Sequence, residues 1–186
     1  NALVRYCIVP ASDQTTGIPE EHSLAQTRLQ QVHGTAGPRL EVRLSNPLSG
    51  RDQLAAGLDS SLLSELMSLL SRARLRVLSI EPLLVHAFNR IRPRIAAQDF
   101  MFACVERGML GLGCVRSGGW QSLDLSMFRG EALDALTSRL SQAALETEDP
   151  KGLPREIYVH AQSDELGPHA QIAGLKCHLF NRVEGR

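Results

Sequence analysis

Apolar residues recur along this chain with two periods. Over residues 39–44 (RLEVRL), Leu40, Val42 and Leu44 alternate with Arg39, Glu41 and Arg43, which predicts a half-buried strand. Residues 4–10 (VRYCIVP) predict a short strand closed by Pro10, and residues 11–20 a polar loop. Residues 21–33 predict a helix with Ala25, Leu29 and Val32 on one face and Gly34 as its stop. Turn residues Asn46-Pro47 and Ser49-Gly50 precede a further short strand at 53–58. A helix is expected over about 60–73, with Asp59 as its N-cap and Leu62, Leu66, Leu69, Leu70 and Ala73 in one stripe. Residues 75–80 (LRVLSI) read as a strand, and 82–92 as a helix opened by Pro82 and stopped by Pro93. Its apolar face is Leu84, Ala87, Phe88 and Ile91. Strand, helix, strand, helix in that order predicts some parallel pairing.

The pattern changes after residue 98. DFMFACVE, MLGLGCVR and WQSLDLSMF are three strand-like runs joined at Arg107-Gly108 and at Ser117-Gly118-Gly119. Runs so closely spaced, with glycine at each joint, predict a three-stranded antiparallel meander. A helix over about 130–145 comes next, carrying Leu133, Leu136, Leu140 and Ala144. Residues 146–154 are an acidic, proline-containing loop and 155–160 a strand. Residues 161–173 are a loop with room for one helical turn, 174–180 a last strand, and 181–186 a tail.

Composition narrows the class. The chain has 186 residues, 43% of them hydrophobic and 22% charged, which suits a globular protein able to bury a core. Twenty basic residues balance twenty acidic ones, so a chain-wide basic field for nucleic acid is absent. Aromatics are only 4%, so the core must be built from Leu, Val, Ile and Ala. No apolar run approaches the roughly 20 residues of a bilayer span. The first residue is Asn1, which leaves room for natural sequence upstream. Cys7, Cys104, Cys114 and Cys177 form no CxxC pair and read as reduced core thiols, pointing to a cytoplasmic protein.

Strand, strand, strand, helix, strand, loop, strand is the core order of a ribonuclease-H-like subdomain. The stretch before it, LAAGLDSSLLSELMSLLSRARLRVLSIEPLLVHAFNRI, resembles the end of the first subdomain in actin-like proteins. Over about residues 39–160 the chain resembles the actin-like proteins of type IV pilus assembly and type II secretion, of the PilM and GspL type. The resemblance implies an α/β fold with a mixed sheet, in the ribonuclease-H-like or actin-like ATPase style. It implies a partial two-subdomain fragment: residues 1–38 as an N-terminal segment, 39–95 as the end of the first subdomain, and 96–186 as the second. It also implies a cytoplasmic protein that docks the tail of an inner-membrane assembly protein.

The family's nucleotide motifs are not reproduced. An Asp-X-Gly phosphate loop belongs at the first turn of the meander, where this chain has Glu106-Arg107-Gly108. The longer acid and the intruding Arg107 make this a degenerate phosphate loop, and no cofactor is expected. Gly118-Gly119 reads as a hairpin turn. The expected function is thus a non-catalytic scaffold or adaptor binding a partner protein in a pilus or secretion assembly. The alternative is an ATP-binding actin-like protein whose phosphate loop lies upstream of residue 1.

Other chemistry is sparse. His22, His33, His86, His160, His169 and His178 lack metal-ligand spacing, and neighbours Cys177 and His178 point to opposite strand faces. Ser117 lacks a nucleophile elbow. A two-metal nuclease needs clustered carboxylates, whereas Asp99 and Glu106 bracket the first meander strand and Asp124 lies on the third. Cys104 and Cys114 could face each other across a hairpin. The partner-binding candidates are Arg72, Arg74 and Arg76, with Arg90, Arg92 and Arg94 as a second group, and Trp120 as an exposed anchor or a core residue. A homodimer through the free edge of the meander fits either function.

Overall fold

The computed structural model describes residues 4–11, 18–34, 39–45, 51–146, 153–161, 166, 167 and 171–181. The chain divides into two compact units, Asn1–Pro82 and Leu83–Arg186. The expected turn at Asn46–Gly50, the loop residue His169 and the tail after 181 lie outside the described residues.

The first unit holds β1 (Val4–Val9), α1 (Ile18–His33), β2 (Leu40–Leu44), β3 (Gln53–Asp59) and α2 (Ser60–Arg72). Its sheet has the order β1-β3-β2, with both pairings antiparallel. Because β1 pairs with β3 along its whole length, β1 and α1 share one unit with β2, β3 and α2. One face of the sheet packs under α1, joining Cys7, Val9, Val42 and Ala55 to Ala25 and Leu29. Val32, expected on that face, is 59% exposed. Gly34 has φ +84, the left-handed conformation that ends α1. His33 Nε2 lies 2.9 Å from the Tyr6 carbonyl oxygen of edge strand β1.

Asp59 caps α2: its Oδ1 accepts from the Ser61 backbone N–H at 2.8 Å and from the Ser61 hydroxyl at 2.6 Å. The hydroxyl bond and then the backbone bond hold this carboxyl below its ordinary value. A depressed carboxyl stabilises the fold above its unfolded pKa and loses that contribution as pH falls through the folded one. Asp59→Ala is therefore expected to lower the melting temperature at pH 7 and to cost progressively less as pH falls through the acid range, as thermal unfolding monitored by circular dichroism can check.

The end of α2 corrects one expectation. Arg74 takes φ 56, its N–H donates to Ser71 O, and the Leu75 N–H reaches back to Leu70 O, a Schellman closure. Residues 75–80 then run on without strand structure, and no described strand pairs with them. A strand exists only with a partner, and among the described residues the sheet of this unit is β1-β3-β2. The stripe on α2 is present, yet none of its residues is buried.

The second unit holds α3 (Leu83–Ile91), a 3₁₀ turn (Arg92–Arg94), β4 (Phe100–Glu106), β5 (Met109–Arg116), β6 (Gly119–Met127), α4 (Ala132–Glu146), β7 (Glu156–Ala161), β8 (Gln171–Ile172) and β9 (Leu175–Asn181). The six strands run β6-β5-β4-β7-β9-β8. The meander is as expected, and the parallel pairings are β4 with β7 and β7 with β9. Both hairpin loops have two residues with positive φ, Arg107-Gly108 and Ser117-Gly118, which matches the twist of the strands. Asp99 Oδ1 accepts from the Ser117 N–H at 2.7 Å and fixes the second loop.

Each face of this sheet has its own helix. Met101, Ala103, Val105, Leu110, Leu112, Ile157 and Val159 pack with Leu136 and Leu140 of α4. The opposite face is aromatic: Phe88 of α3 contacts Phe100, Phe102 and Trp120, and Tyr158 meets Phe100, His178 and Phe180. Six of the eight aromatic residues thus share one layer, so low aromatic content did not mean an aliphatic core throughout. Gly113 makes room for this layer, since a Cβ there would lie 2.4 Å from the Trp120 ring. A rigid indole cannot step aside, so Gly113→Ala is expected to cost about 1–3 kcal/mol in urea unfolding.

Cys104 sits opposite Gly111 and Cys114 opposite Met101, so the two thiols do not face each other, and both are free. Burial pushes the Cys104 thiol up to about 12. A raised folded value stabilises below the unfolded one, near 9, and that stability drains as pH climbs toward 12. Wild type is expected to lose more unfolding free energy than Cys104→Val between about pH 8 and about pH 10.5, as urea titrations can measure.

Candidate functional site

The first unit carries an open groove of about 440 Å³. Its floor comes from the sheet face turned away from α1. In a strand successive side chains alternate, so Cys7 and Ala55 face α1 while Val4, Ala56 and Leu58 face the groove. One wall is α2, through Leu63 and Met67, four residues apart and so on one helix face. Ile80, Glu81 and Pro82 close one end. Glu41 and Arg43 of edge strand β2 stand at the rim, paired at 2.9 Å.

The chemistry of this lining is adhesive. It contains no cysteine, serine or histidine, and no group of metal-ligating side chains occurs among the described residues. An apolar trough with a charged rim beside a sheet edge suits an extended peptide. Its apolar side chains enter the trough while its main chain runs along the strand.

The residues singled out by sequence fall elsewhere. Glu106, Arg107 and Gly108 form the β4–β5 hairpin of the second unit. The Gly108 carbonyl accepts from the Phe128 N–H at 2.8 Å, so this turn braces the chain leaving β6. Arg72, Arg74 and Arg76 are exposed at and beyond the end of α2. Arg74 takes part in the Schellman closure, and none of the three lines the groove. Trp120 is 5% exposed with its ring 4.6 Å from that of Phe88, so of its two readings it is the core residue. Asp124 is paired with Arg139, which leaves it as surface structure and not part of a carboxylate cluster.

A polar cluster decorates the β7–β9 end of the second sheet. Glu156 accepts from the Tyr158 hydroxyl at 2.8 Å and lies 3.6 Å from Lys176 Nζ and 3.5 Å from His178 Nε2. The Tyr158 hydroxyl bond, with Lys176 and His178 adding to it, holds the Glu156 carboxyl below its usual range. Burial, reinforced by Glu156, pushes Tyr158 up to about 12. Glu156 and Lys176, and Tyr158 and His178, are register partners across β7 and β9.

Sequence reasoning passed over the groove because its parts lie far apart in the chain. One signal was present: Leu54, Ala55, Ala56 and Leu58 make β3 apolar on both faces, which asks for a cover on each.

Comparison with solved structures places the fold. The chain matches a PilM–PilN type IV pilus biogenesis complex with a TM-score of 0.65 at 13% identity, over 96% of this chain and 66% of that one. It also matches a Bacteroides thetaiotaomicron protein described as having an actin-like ATPase fold and unknown function. That match has a TM-score of 0.52 at 11% identity, over 85% of this chain and 56% of the other. The chain thus spans less than two thirds of either structure's length, and its fold is actin-like. No protein-family model and no curated protein matches the sequence.

Proposed function

We propose that this chain is a non-catalytic actin-like scaffold that holds a partner protein of a bacterial pilus or secretion assembly by an extended peptide seated in the groove. The observation that carries the reading is the groove itself, an apolar trough flanked by a sheet edge. The fold match to a structure that pairs PilM with PilN supports a partner from pilus assembly. Substitution of the phosphate-loop position by Glu106-Arg107-Gly108 supports a role without nucleotide. No helix among the described residues is long and apolar enough to cross a membrane. The reading places the chain in the cytoplasm, where it meets the tail of an inner-membrane assembly protein.

The test is a titration. The cytoplasmic tail of the PilN-type protein from the same genome, fluorescently labelled, is added to the chain and followed by polarisation. Saturable binding, competed by unlabelled tail, is the expected result. Absence of binding at millimolar protein, or binding unchanged when the groove is filled by substitution, would reject the reading.

A further inference from the structure

The sheet of the second unit ends differently at its two edges. One edge is β8, a strand of two residues, too short to template another chain. The other is β6, nine residues long, with Gln121 bulged where the register against β5 shifts. From Ser122 to Met127 the strand is regular, carries no proline and no basic residue, and meets no described strand on its outer side. Edge strands are ordinarily blunted by lysine, proline or an inward charge. The one charge here, Asp124, is held by Arg139 of α4.

The ladder fixes which groups face outward. At the two-residue Arg107-Gly108 loop, Glu106 and Met109 form the bonded pair, and bonded pairs alternate from there. Leu110, Leu112 and Cys114 therefore bond across to Ser126, Asp124 and Ser122. The Phe128 N–H, donating to the Gly108 carbonyl at 2.8 Å, continues that series. Leu123, Leu125 and Met127 turn their N–H and C=O groups outward. Their side chains share the sheet face that α3 covers, since Leu125 Cδ2 and Leu84 Cδ1 both border the Cβ position of Gly111. Leu123 and Leu125 are half-buried there, and Met127 is 77% exposed.

We infer that β6 pairs antiparallel with β6 of a second copy about a two-fold axis at Leu125, joining two six-stranded sheets into one. Self-complementarity selects a second copy as the occupant. Two-fold symmetry sets a strand antiparallel to itself. Centred on Leu125, the pairing puts Leu123 opposite Met127 of the second copy and Asp124 opposite Ser126, apolar against apolar and carboxylate against hydroxyl. Every bonded pair then uses outward-facing groups, and about six main-chain hydrogen bonds form. A register centred on Asp124 would set two carboxylates against each other, and one centred on Leu123 would set Leu125 against the bulged Gln121.

Sedimentation velocity on the 186-residue chain, with Met127→Pro and Met127→Lys beside it, tests this. Wild type is expected to show a reversible monomer–dimer equilibrium. Proline at an outward-facing position removes a donor that β5 does not use, and the Met127 side chain is exposed, so both variants should keep the wild-type melting temperature. Met127→Pro takes away two of the inter-copy bonds, one per copy, and should weaken the dimer by about 10-fold or more. Met127→Lys should weaken it as an edge lysine does. The register is read by cross-linking. Under mild oxidation Leu125→Cys should give a disulfide-linked dimer, because bonded-pair Cα atoms lie about 5.5 Å apart. Leu123→Cys, opposite Met127, should not, and wild type with its four native cysteines is the blank. A chain that stays monomeric at millimolar concentration would overturn the inference and leave the edge to a strand of another protein. So would a dimer unaffected by Met127→Pro, or a disulfide formed as readily by Leu123→Cys. These readouts use no peptide ligand and no residue of the groove, so their failure leaves the groove reading untouched.

Discussion

Phe102→Ala is expected to lower the unfolding free energy by about 3–5 kcal/mol, the largest stability effect of any single substitution considered. Phe102 is fully buried on central strand β4, between β5 and β7. Its ring meets Phe88 edge-on with centroids 5.4 Å apart and Trp120 at 6.3 Å. Removing it takes away the burial of a large side chain and two aromatic contacts together. The void cannot close easily, because β4 is pinned by ladders on both sides and the indole is already wedged over Gly113. Urea unfolding followed by Trp120 fluorescence measures the loss. A change below about 1 kcal/mol would mean that the aromatic layer is not the packed core described.

The second large effect concerns function. Ala56→Trp places an indole on the floor of the groove, between Val4 and Leu58 on one side and Leu63 and Met67 on the other. Its side chain points away from α1, so the core of Ala25, Leu29, Val42 and Ala55 is undisturbed. Tail-peptide binding is expected to weaken by about 100-fold or more, equivalent to about 2.7 kcal/mol, with the melting temperature nearly unchanged. Arg43→Glu, at the exposed rim, is expected to act weakly and in a salt-dependent way, since a rim charge steers association more than it holds the complex. Fluorescence polarisation of the two variants separates these roles.

Much of the fold was legible in the sequence because local rules and tertiary packing agreed. The alternation in 39–44, the glycine joints of the meander and the stripe of Leu136 and Leu140 each became the element they predicted. The actin-like resemblance drawn from element order is matched by the solved structures. The failures occurred where structure depends on a partner outside the local segment. LRVLSI has the composition of a strand but lacks a strand beside it. Val32 keeps helical periodicity with Ala25 and Leu29, yet is 59% exposed. The groove was the hardest feature to foresee. Its floor comes from three strands, its wall from a helix, and its end from residues 80–82.

The scaffold reading turns on the absence of nucleotide chemistry. An actin-like phosphate site requires backbone N–H groups converging on an anion at a tight acidic turn. Here the corresponding turn carries Arg107 at φ 42, and its Gly108 carbonyl is engaged by Phe128. Calorimetric titration of the complete gene product with a non-hydrolysable ATP analogue and Mg²⁺ addresses this directly. No saturable heat is the expected result. A micromolar dissociation constant, lost in an Arg107→Glu variant of unchanged stability, would contradict it and make the protein a nucleotide-binding member of its fold.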